Sequence, residues 1–231
     1  MATDNSAKQT AGEYAATIIQ DGMTIGIGTG STVYFFIQAL AKRIKEGLSV
    51  KGVATSMQTQ ELAKGLNIPL VDLNDAGQLD MTVDGADEID ENLQLIKGGG
   101  GALLQEKIVA AASKKLLIIA DESKLVQQLG KFPLPVEVIP FGWKQTQKHL
   151  QQLGCEKIIL RTKEGQTFIS DHGHYILDCY FEKINNAAQL HMQLNNIPGV
   201  VENGLFLNMA ASAVIAYTNG TVKEIRSEEH T

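Results

Sequence analysis

The stretch MTIGIGTGSTVYFFIQALAKRI, residues 23–44, contains the pattern that decides the fold. Its apolar beginning, 23–27, is typical of a short buried strand, and residues 32 to about 45 repeat apolar side chains at helical spacing. The glycines of GTGST (28–32) predict a tight turn between the two elements, because glycine adopts backbone conformations that other residues avoid. Strand, glycine turn and helix in this order predict the first half of a βαβ unit.

The same alternation continues through the first part of the chain. We expect helices at 9–20, 57–65 and 102–115, and strands at 50–54, 69–72, 81–83 and 116–120. Strands that alternate with helices predict an α/β fold with a mostly parallel sheet.

The pattern changes after FPLPVEVIP (132–140). Consecutive strands without crossover helices pair antiparallel, so 131–205 is predicted to be a smaller α+β domain with an antiparallel sheet. Within it we expect a first strand in the FPLPVEVIP segment, helices at 143–153 and 184–195, and further strands at 157–161, 167–169 and 175–180.

The tail SAVIAYTNGTVKEI (212–225) predicts a hairpin with a type I′ turn at Asn219 and Gly220. We expect this hairpin to return to the first sheet. The smaller domain is then an insertion in a larger one made of 1–130 and 206–231.

The composition restricts the function. The 231 residues are 44% hydrophobic with a formal net charge of −6, which suits a globular chain and not a disordered one. A negative chain lacks the basic surface of a protein that wraps nucleic acid or coats an anionic membrane, so we expect neither partner. An anionic ligand must then be bound by a few local cations and by backbone N–H groups.

Targeting and cysteine signals are weak. The opening MATDNSAKQT (1–10) lacks the basic and apolar regions of a secretory signal, and no run approaches the ~18 apolar residues of a membrane span. The two cysteines, Cys155 and Cys179, lie in no CxxC motif, and with five histidines they form no zinc framework. We expect a cytoplasmic protein with reduced thiols.

The GTGST turn predicts a phosphate site, because glycines allow close backbone approach and the following helix presents unpaired N–H groups. Candidate contacts are Thr29, Gly30, Ser31 and Thr32. The segment fits neither GxGxxG nor the P-loop, which needs a lysine here. A glycine turn with a Ser or Thr helix cap is the structural alternative.

The acidic segment VDGADEID (83–90) follows a predicted strand. Carboxylates at the carboxyl end of such a strand point toward the ligand crevice of an α/β sheet, so Asp84 and Asp87 are candidates to bind hydroxyls or move protons. A solvated acidic turn is the alternative. A divalent metal is a third interpretation, although the spacing misses the EF-hand pattern.

A run of glycines follows Lys97. Four adjacent glycines, 98–101, each cost roughly 0.4–1 kcal/mol relative to alanine, which indicates backbone amides that must contact a ligand. Glu106 lies near the start of the next helix, where a carboxylate either complements the helix dipole or acts as a general base. Lys124, after the strand LLIIA (116–120), either pairs with an anion or is an ordinary surface residue.

Together these segments resemble ribose-5-phosphate isomerase of type A, the metal-independent form. The resemblance covers nearly the whole chain. The matching stretches are GTGST (28–32), VDGADEID (83–90), IKGGGGAL (96–103), EK (106–107), AD and SK within 120–124, GKFPLPVEVIP (130–140) and IPGVVENGLF (197–206).

The resemblance implies a Rossmann-like domain with a smaller α/β domain, a homodimer or homotetramer, and no metal or cofactor. It implies reversible isomerisation of D-ribose 5-phosphate and D-ribulose 5-phosphate, with Glu106 as the proton acceptor. Family members often carry Thr-Arg where this chain has Leu104 and Gln105, so an arginine that would help to orient Glu106 is missing here. The implied substrate contacts are Thr29, Gly30, Ser31, Thr32, Asp84, Gly85, Ala86, Asp87, Lys97, Gly98, Gly99, Gly100 and Lys124.

The chemistry suits these residues. Glu106 would move a proton from C2 to C1 through an enediolate, and Lys97 with the glycine amides would stabilise its charge. Asp84 is our candidate for ring opening, and Asp87 would bind hydroxyls and orient Lys97. Lys8 or Lys124 would assist with the phosphate.

Two other functions are compatible with a fold of this kind. A non-catalytic sugar-phosphate sensor would normally carry a DNA-reading segment ahead of the first strand, and here that strand begins near Met23. A CoA-transferase-like or sugar-phosphate deaminase-like enzyme would lack the complete KGGGGAL, EK and GKFPLP set.

Overall fold

The computed structural model describes residues 2–227, with side chains from Asn5 onward. The helices are α1 Ala2–Ile18, α2 Ser31–Lys45, α3 Met57–Gly65, α4 Leu73–Ala76, α5 Leu103–Ala111, α6 Trp143–Gln151 and α7 Ala187–Asn195, with a 3₁₀ turn at Glu122–Lys124. The strands are β1 Thr24–Ile27, β2 Lys51–Ala54, β3 Met81–Asp84, β4 Glu88–Ile89, β5 Leu95–Ile96, β6 Leu116–Asp121, β7 Leu134–Val138, β8 Lys157–Leu160, β9 Thr162–Lys163, β10 Gln166–Thr167, β11 Tyr175–Tyr180, β12 Val200–Asn203, β13 Leu205–Phe206, β14 Ala210–Ala216 and β15 Val222–Arg226. Across residues 2–227, every helix is too short or too polar to cross a bilayer.

The chain forms two compact units. The first contains the residues up to Ala86, Gln105–Lys124 and those from Asn208 onward, and the second contains Asp87–Leu104 and Leu125–Leu207. The predicted division differs from these units at 87–104, 125–130 and 206–207. The reason is strand pairing, because β4 and β5 pair with each other and β5 also pairs with β13 in a small antiparallel sheet.

A six-stranded sheet forms the centre of the first unit, in the order β15-β14-β6-β3-β1-β2. The five strands from β14 to β2 are parallel and β15 is antiparallel at one edge, which confirms the predicted α/β class. The carboxyl ends of β1, β2, β3 and β6 therefore lie at one edge of this sheet, where α/β proteins bind ligands.

Helices α1 and α2 pack against each other beside the sheet, at a close approach that requires glycine. A Cβ atom at Gly12 would lie 2.5 Å from the backbone nitrogen of Phe36, a fully buried residue. The end of α1 is also tied down, since Arg43 Nη1 donates to the carbonyl of Ile19 at 2.7 Å. These helices bury the larger apolar core of the first unit against the sheet.

The second unit contains an antiparallel sheet in the order β12-β7-β11-β8, as predicted for this part of the chain. The strand β7 is buried along its whole length between its two neighbours. A second apolar core lies in this unit, and its members include Leu134, Val136, Leu150, Leu177, Leu190 and Leu194.

Three local expectations are wrong. The strand expected at 69–72 reduces to a single bridge from Leu70 to Gly52, after which Asp72 caps α4. The strand expected at 167–169 ends at Thr167, within the short hairpin of β9 and β10. The turn between β14 and β15 is not type I′, because of its two predicted central residues only Gly220 has a positive φ, of 85°.

That turn is a three-residue loop. The N–H of Gly220 donates to Tyr217 O, and the N–H of Tyr217 donates to Thr221 O, both at 2.9 Å. The side chain of Asn219 accepts from the Thr221 N–H at 2.9 Å instead of allowing a left-handed backbone. This is the arrangement of a type I turn followed by a left-handed glycine. The hairpin itself does return to the first sheet, because β14 pairs with β6.

We predict that Gly12→Ala lowers the free energy of unfolding by about 1–3 kcal/mol, because the added Cβ forces α1 away from α2. Gly65→Ala is the matched control, since no atom lies within 4 Å of a Cβ at that helical position. Urea denaturation of the two variants checks this. Equal stability of both variants would contradict the account of the α1–α2 contact.

Candidate active site

A buried carboxylate organises the strand-end loops of the first unit. Asp84, the last residue of β3, is 0% exposed, and its Oδ1 accepts from the N–H groups of Thr29 at 3.0 Å and Gly85 at 2.8 Å. A Cβ atom at Gly28 would lie 2.1 Å from that oxygen. Gly28 is therefore required for the close approach of β1 to Asp84. The alternative of a solvated acidic turn does not apply to this residue.

The GTGST turn leads directly into α2. Gly30 is the N-cap residue, with φ 127° and no side-chain cap, so the expected alternative of a Ser or Thr cap is not what the structure shows. Ser31 and Thr32 lie in the first turn, where backbone N–H groups have no partner within the helix. Ser31 is exposed. This end of α2 has the features of an anion site.

A cluster of hydroxyl groups holds Thr29, and no motif in the sequence predicts it. Thr29 Oγ1 lies 2.8 Å from Thr55 Oγ1, donates to Ser56 Oγ at 2.8 Å, and lies 3.1 Å from Thr59 Oγ1. The Thr59 hydroxyl donates to the carbonyl of Gly28 at 2.7 Å. The available signal was the Thr55-Ser56 pair directly after β2.

Glu106 lies in the first turn of α5 and is 4% exposed. A carboxylate that only complements the helix dipole would be solvated, so its burial favours a chemical role. The neighbouring Gln105, where the family resemblance leads us to expect arginine, donates from Nε2 to the carbonyl of Ala54 at 3.0 Å. This bond ties the first turn of α5 to the end of β2.

The two candidate phosphate lysines also belong to the first unit. Lys8 lies on α1 and is partly exposed. Lys124 ends the 3₁₀ turn after β6. That turn is held by Asp121, a 3% exposed carboxylate whose Oδ1 accepts from the Ser123 N–H at 3.0 Å.

The remaining candidates lie in the second unit. Asp87 Oδ2 accepts from the Gly99 N–H at 2.7 Å, so the acidic segment and the glycine run are in contact. Lys97 is 2% exposed and its Nζ lies 5.3 Å from the centre of the Phe206 ring. The N–H of Lys97 donates to the carbonyl of Gly204 at 2.9 Å. Backbone and ring contacts thus hold this lysine.

The other acidic residues of the VDGADEID segment have structural roles. Glu88 is buried and accepts from the N–H groups of Gly130 at 2.7 Å and Phe132 at 2.6 Å. Burial raises the pKa of Asp90, although its bonds from the amides of Gln94 and Asn92 oppose the shift. Only Asp84 and Asp87 of this segment remain candidates for chemistry.

The glycine run forms a turn in which the N–H of Gly101 donates to the carbonyl of Gly98 at 2.9 Å. Both of these glycines have positive φ, 105° at Gly98 and 82° at Gly101. At Gly101 a Cβ would lie 2.4 Å from the Phe168 ring. Backbone conformation and packing thus account for part of the need for glycine at these positions.

The structure therefore brings together Thr29, Asp84 and Gly85 in the first unit, and Asp87, Lys97 and the glycine turn in the second. Among the side chains of residues 5–227, no three of the His, Cys, Asp and Glu groups are arranged to hold a metal ion.

An α/β sheet with glycine turns and buried carboxylates at its carboxyl edge is typical of an enzyme that acts on a small anionic substrate. The sequence profile of ribose 5-phosphate isomerase A (phosphoriboisomerase A) matches residues 51–220. The chain is 62% identical over 217 residues to a ribose-5-phosphate isomerase A of Bacillus cereus, covering 94% of this chain and 98% of the relative. It belongs to the ribose 5-phosphate isomerase A family.

Solved structures agree with this assignment. A ribose 5-phosphate isomerase from Plasmodium falciparum superposes with a TM-score of 0.94 at 38% identity, covering 97% of this chain and 99% of that chain. A D-ribose-5-phosphate isomerase in complex with phospho-erythronic acid superposes with a TM-score of 0.91 at 40% identity, covering 95% of this chain and 97% of that chain.

We predict that Thr59→Val lowers the free energy of unfolding by about 1–3 kcal/mol, because the buried Gly28 carbonyl loses its hydroxyl donor. Thr59→Ser keeps that donor and is the matched control. Urea denaturation measures both. If valine and serine gave the same stability, the hydroxyl cluster would not hold the GTGST turn.

Proposed function

We propose that this chain interconverts D-ribose 5-phosphate and D-ribulose 5-phosphate, as an aldose–ketose isomerase of the non-oxidative pentose phosphate pathway, with Glu106 as its base. The observation that carries this proposal is the burial of Glu106 in the first turn of α5, at a position that the motif EK (106–107) shares with the family. The name and ligand of the relative solved with phospho-erythronic acid support the substrate class.

Asp84 opens the sugar ring in this proposal. A carboxylate can take the proton from the anomeric hydroxyl and return it to the ring oxygen, which converts the closed sugar to the aldehyde. The two N–H groups that donate to Oδ1 hold the Asp84 carboxylate in one orientation. An orientation fixed before the substrate binds is what efficient proton transfer requires.

Glu106 then transfers the proton. Its carboxylate removes the proton from C2 of the aldose, and the electron pair of that C–H bond forms the C1–C2 double bond of an enediolate. The same carboxyl returns the proton to C1. The proton of the C2 hydroxyl moves to O1, so that the C2 oxygen becomes the ketone of ribulose 5-phosphate and the aldehyde oxygen becomes a hydroxyl. One base is sufficient, because the two carbons are adjacent.

The enediolate needs positive charge beside its oxygens. Lys97 is a buried cation of the second unit, and the amides of the glycine turn are candidate donors. Asp87 binds sugar hydroxyls in this proposal and orients Lys97. Its existing bond from the Gly99 N–H also fixes the glycine turn.

The phosphate of the sugar binds at the N-terminus of α2. Its ligands in this proposal are the hydroxyl groups and amides of Ser31 and Thr32, with Thr29 and Gly30 shaping the turn. Lys8 or Lys124 supplies the cation. The remaining substrate contacts are Gly85, Ala86, Gly98, Gly99 and Gly100.

We further propose a cytoplasmic protein that assembles as a homodimer or homotetramer. Cys155 and Cys179 are buried free thiols, which suits a reducing compartment. The assembly rests on the family resemblance, and light scattering distinguishes the two oligomers.

We predict that Glu106→Gln lowers kcat by at least ~100-fold, because the amide cannot accept the C2 proton. KM for ribose 5-phosphate should change little, since the amide has nearly the same shape. A coupled assay of ribulose 5-phosphate formation measures both constants, with and without EDTA. Nearly normal turnover of the variant would remove Glu106 from this role, and loss of wild-type turnover in EDTA would contradict a metal-independent reaction.

We predict that Lys97→Ala lowers kcat more than it raises KM, because the lysine interacts with charge that exists only along the reaction. Lys144→Ala is a control, since that lysine lies beside Trp143 on α6 and has no role in the proposed reaction. Steady-state kinetics separate the constants. A change confined to KM would make Lys97 a ligand of the ground state.

A further inference from the structure

Arg161, which follows β8, is bonded to the glycine turn, and nothing in the sequence analysis pointed to it. Its Nη1 donates to two successive carbonyl oxygens, of Gly98 at 2.7 Å and of Gly99 at 3.1 Å. Its Nε donates to Asp178 Oδ2 at 3.0 Å, and Nη2 donates to the other oxygen of the same carboxylate. The guanidinium is thus held on one side by Asp178 and holds the glycine turn with its other nitrogen.

The position of Arg161 is rigid. Its side chain is 13% exposed and that of Asp178 is 16% exposed, so water competes weakly for their ion pair. The guanidinium also lies 5.9 Å from the centre of the Phe168 ring, and Phe168 is the ring that packs against Gly101. A lysine could not replace this contact, because one ammonium lacks the planar fork that bonds Asp178 and the turn together.

The two anchored carbonyls determine where the amides of the turn point. All peptide bonds described are trans, so the N–H of each peptide plane points opposite to its C=O. Anchoring the Gly98 carbonyl directs the Gly99 N–H away from Arg161, and that N–H donates to Asp87. Anchoring the Gly99 carbonyl directs the Gly100 N–H away in the same manner. Within residues 2–227 the Gly100 N–H has no hydrogen-bond acceptor, and Gly100 is exposed.

We propose that Arg161 is a positioning residue, which aims the Gly100 N–H at the substrate oxygen that becomes negatively charged in the enediolate. This inference rests on the proposed isomerase function. Arg161 itself does not touch the substrate. It acts through two peptide planes, and its contribution appears only when charge develops on the substrate oxygen.

The glycines of the turn fit this role. Without Arg161, the peptide between Gly99 and Gly100 could flip within the turn, because glycine has little steric preference at either residue. A donor whose direction varies must be reordered in each turnover, which raises the barrier for charge development. Arg161 therefore supplies the rigidity that the glycine backbone lacks.

The test compares Arg161→Ala and Arg161→Lys with the wild type in the ribose 5-phosphate assay. We expect both variants to lose kcat on the order of 10- to 100-fold, with KM changed by less than about 3-fold, because the misdirected donor acts only on developing charge. Arg226→Ala is the matched control, since the Arg226 side chain is 68% exposed and pairs with Glu224 in β15. That control should keep wild-type constants.

Chemical rescue separates positioning from folding. Guanidinium chloride at about 20 mM, far below the molar concentrations that unfold proteins, should restore part of kcat to Arg161→Ala. The same addition should leave Lys97→Ala unchanged. Thermal unfolding of Arg161→Lys serves as a second measurement, since a folded lysine variant with reduced kcat still tests the claim.

A folded Arg161→Ala variant with wild-type kcat would overturn the inference, and so would a loss confined to KM. Absence of rescue, with kcat falling in proportion to the folded fraction, would assign Arg161 a structural role only. Failure of the wild type to isomerise ribose 5-phosphate would instead overturn the proposed function, and this inference with it.

Discussion

The close contact between Gly28 and Asp84 is the constraint on which the carboxyl edge of the six-stranded sheet depends. Asp84 is completely buried at the end of β3, and two backbone N–H groups bond one of its oxygens. A buried carboxylate is stable only when such donors compensate for the water that it loses. The donors can reach it only because residue 28 has no side chain, since a Cβ there would lie 2.1 Å from the carboxylate. The register of β1 and β3 and the shape of the adjoining loops thus hold the Asp84 carboxylate in place.

In the proposed function, backbone donors allow a chain of net charge −6 to hold an anionic sugar. The first unit offers N–H groups at the start of α2, and the second offers the Gly100 N–H of the glycine turn. Backbone donors carry no net charge and are already oriented, so few cations are needed. The buried Lys97 then acts as a concentrated local charge in the proposed chemistry.

Periodicity was sufficient for the larger elements, because the apolar spacing of α2 and the buried run of β6 each have one stable interpretation. The predictions of short elements were less successful. Whether the chain after Pro69 forms a strand depends on a neighbour, and here only Leu70 finds one. The turn at Asn219 and Gly220 also differs from the predicted type I′ turn. The Asn219 side chain accepts a hydrogen bond from the Thr221 N–H, and the backbone of Asn219 is not left-handed.

For the candidate site, too, some residues could be predicted from the sequence and others could not. Candidates within a continuous motif, such as Asp84 and Thr29, can be proposed from sequence because residue type and local order indicate a chemistry. The hydroxyl of Thr59 and the guanidinium of Arg161 act on those motifs from distant parts of the chain. Their roles depend on tertiary contacts, which spacing along the sequence does not encode.

The central claim is that a carboxylate moves a proton between adjacent carbons of the substrate. Isotope tracing in D₂O tests it most directly, because protons held by a carboxyl exchange with solvent during repeated turnovers. We predict that prolonged incubation of the protein with ribose 5-phosphate places deuterium at C1 of ribulose 5-phosphate. Sustained interconversion of the two sugars with no deuterium at that carbon would indicate direct hydride transfer and contradict the account.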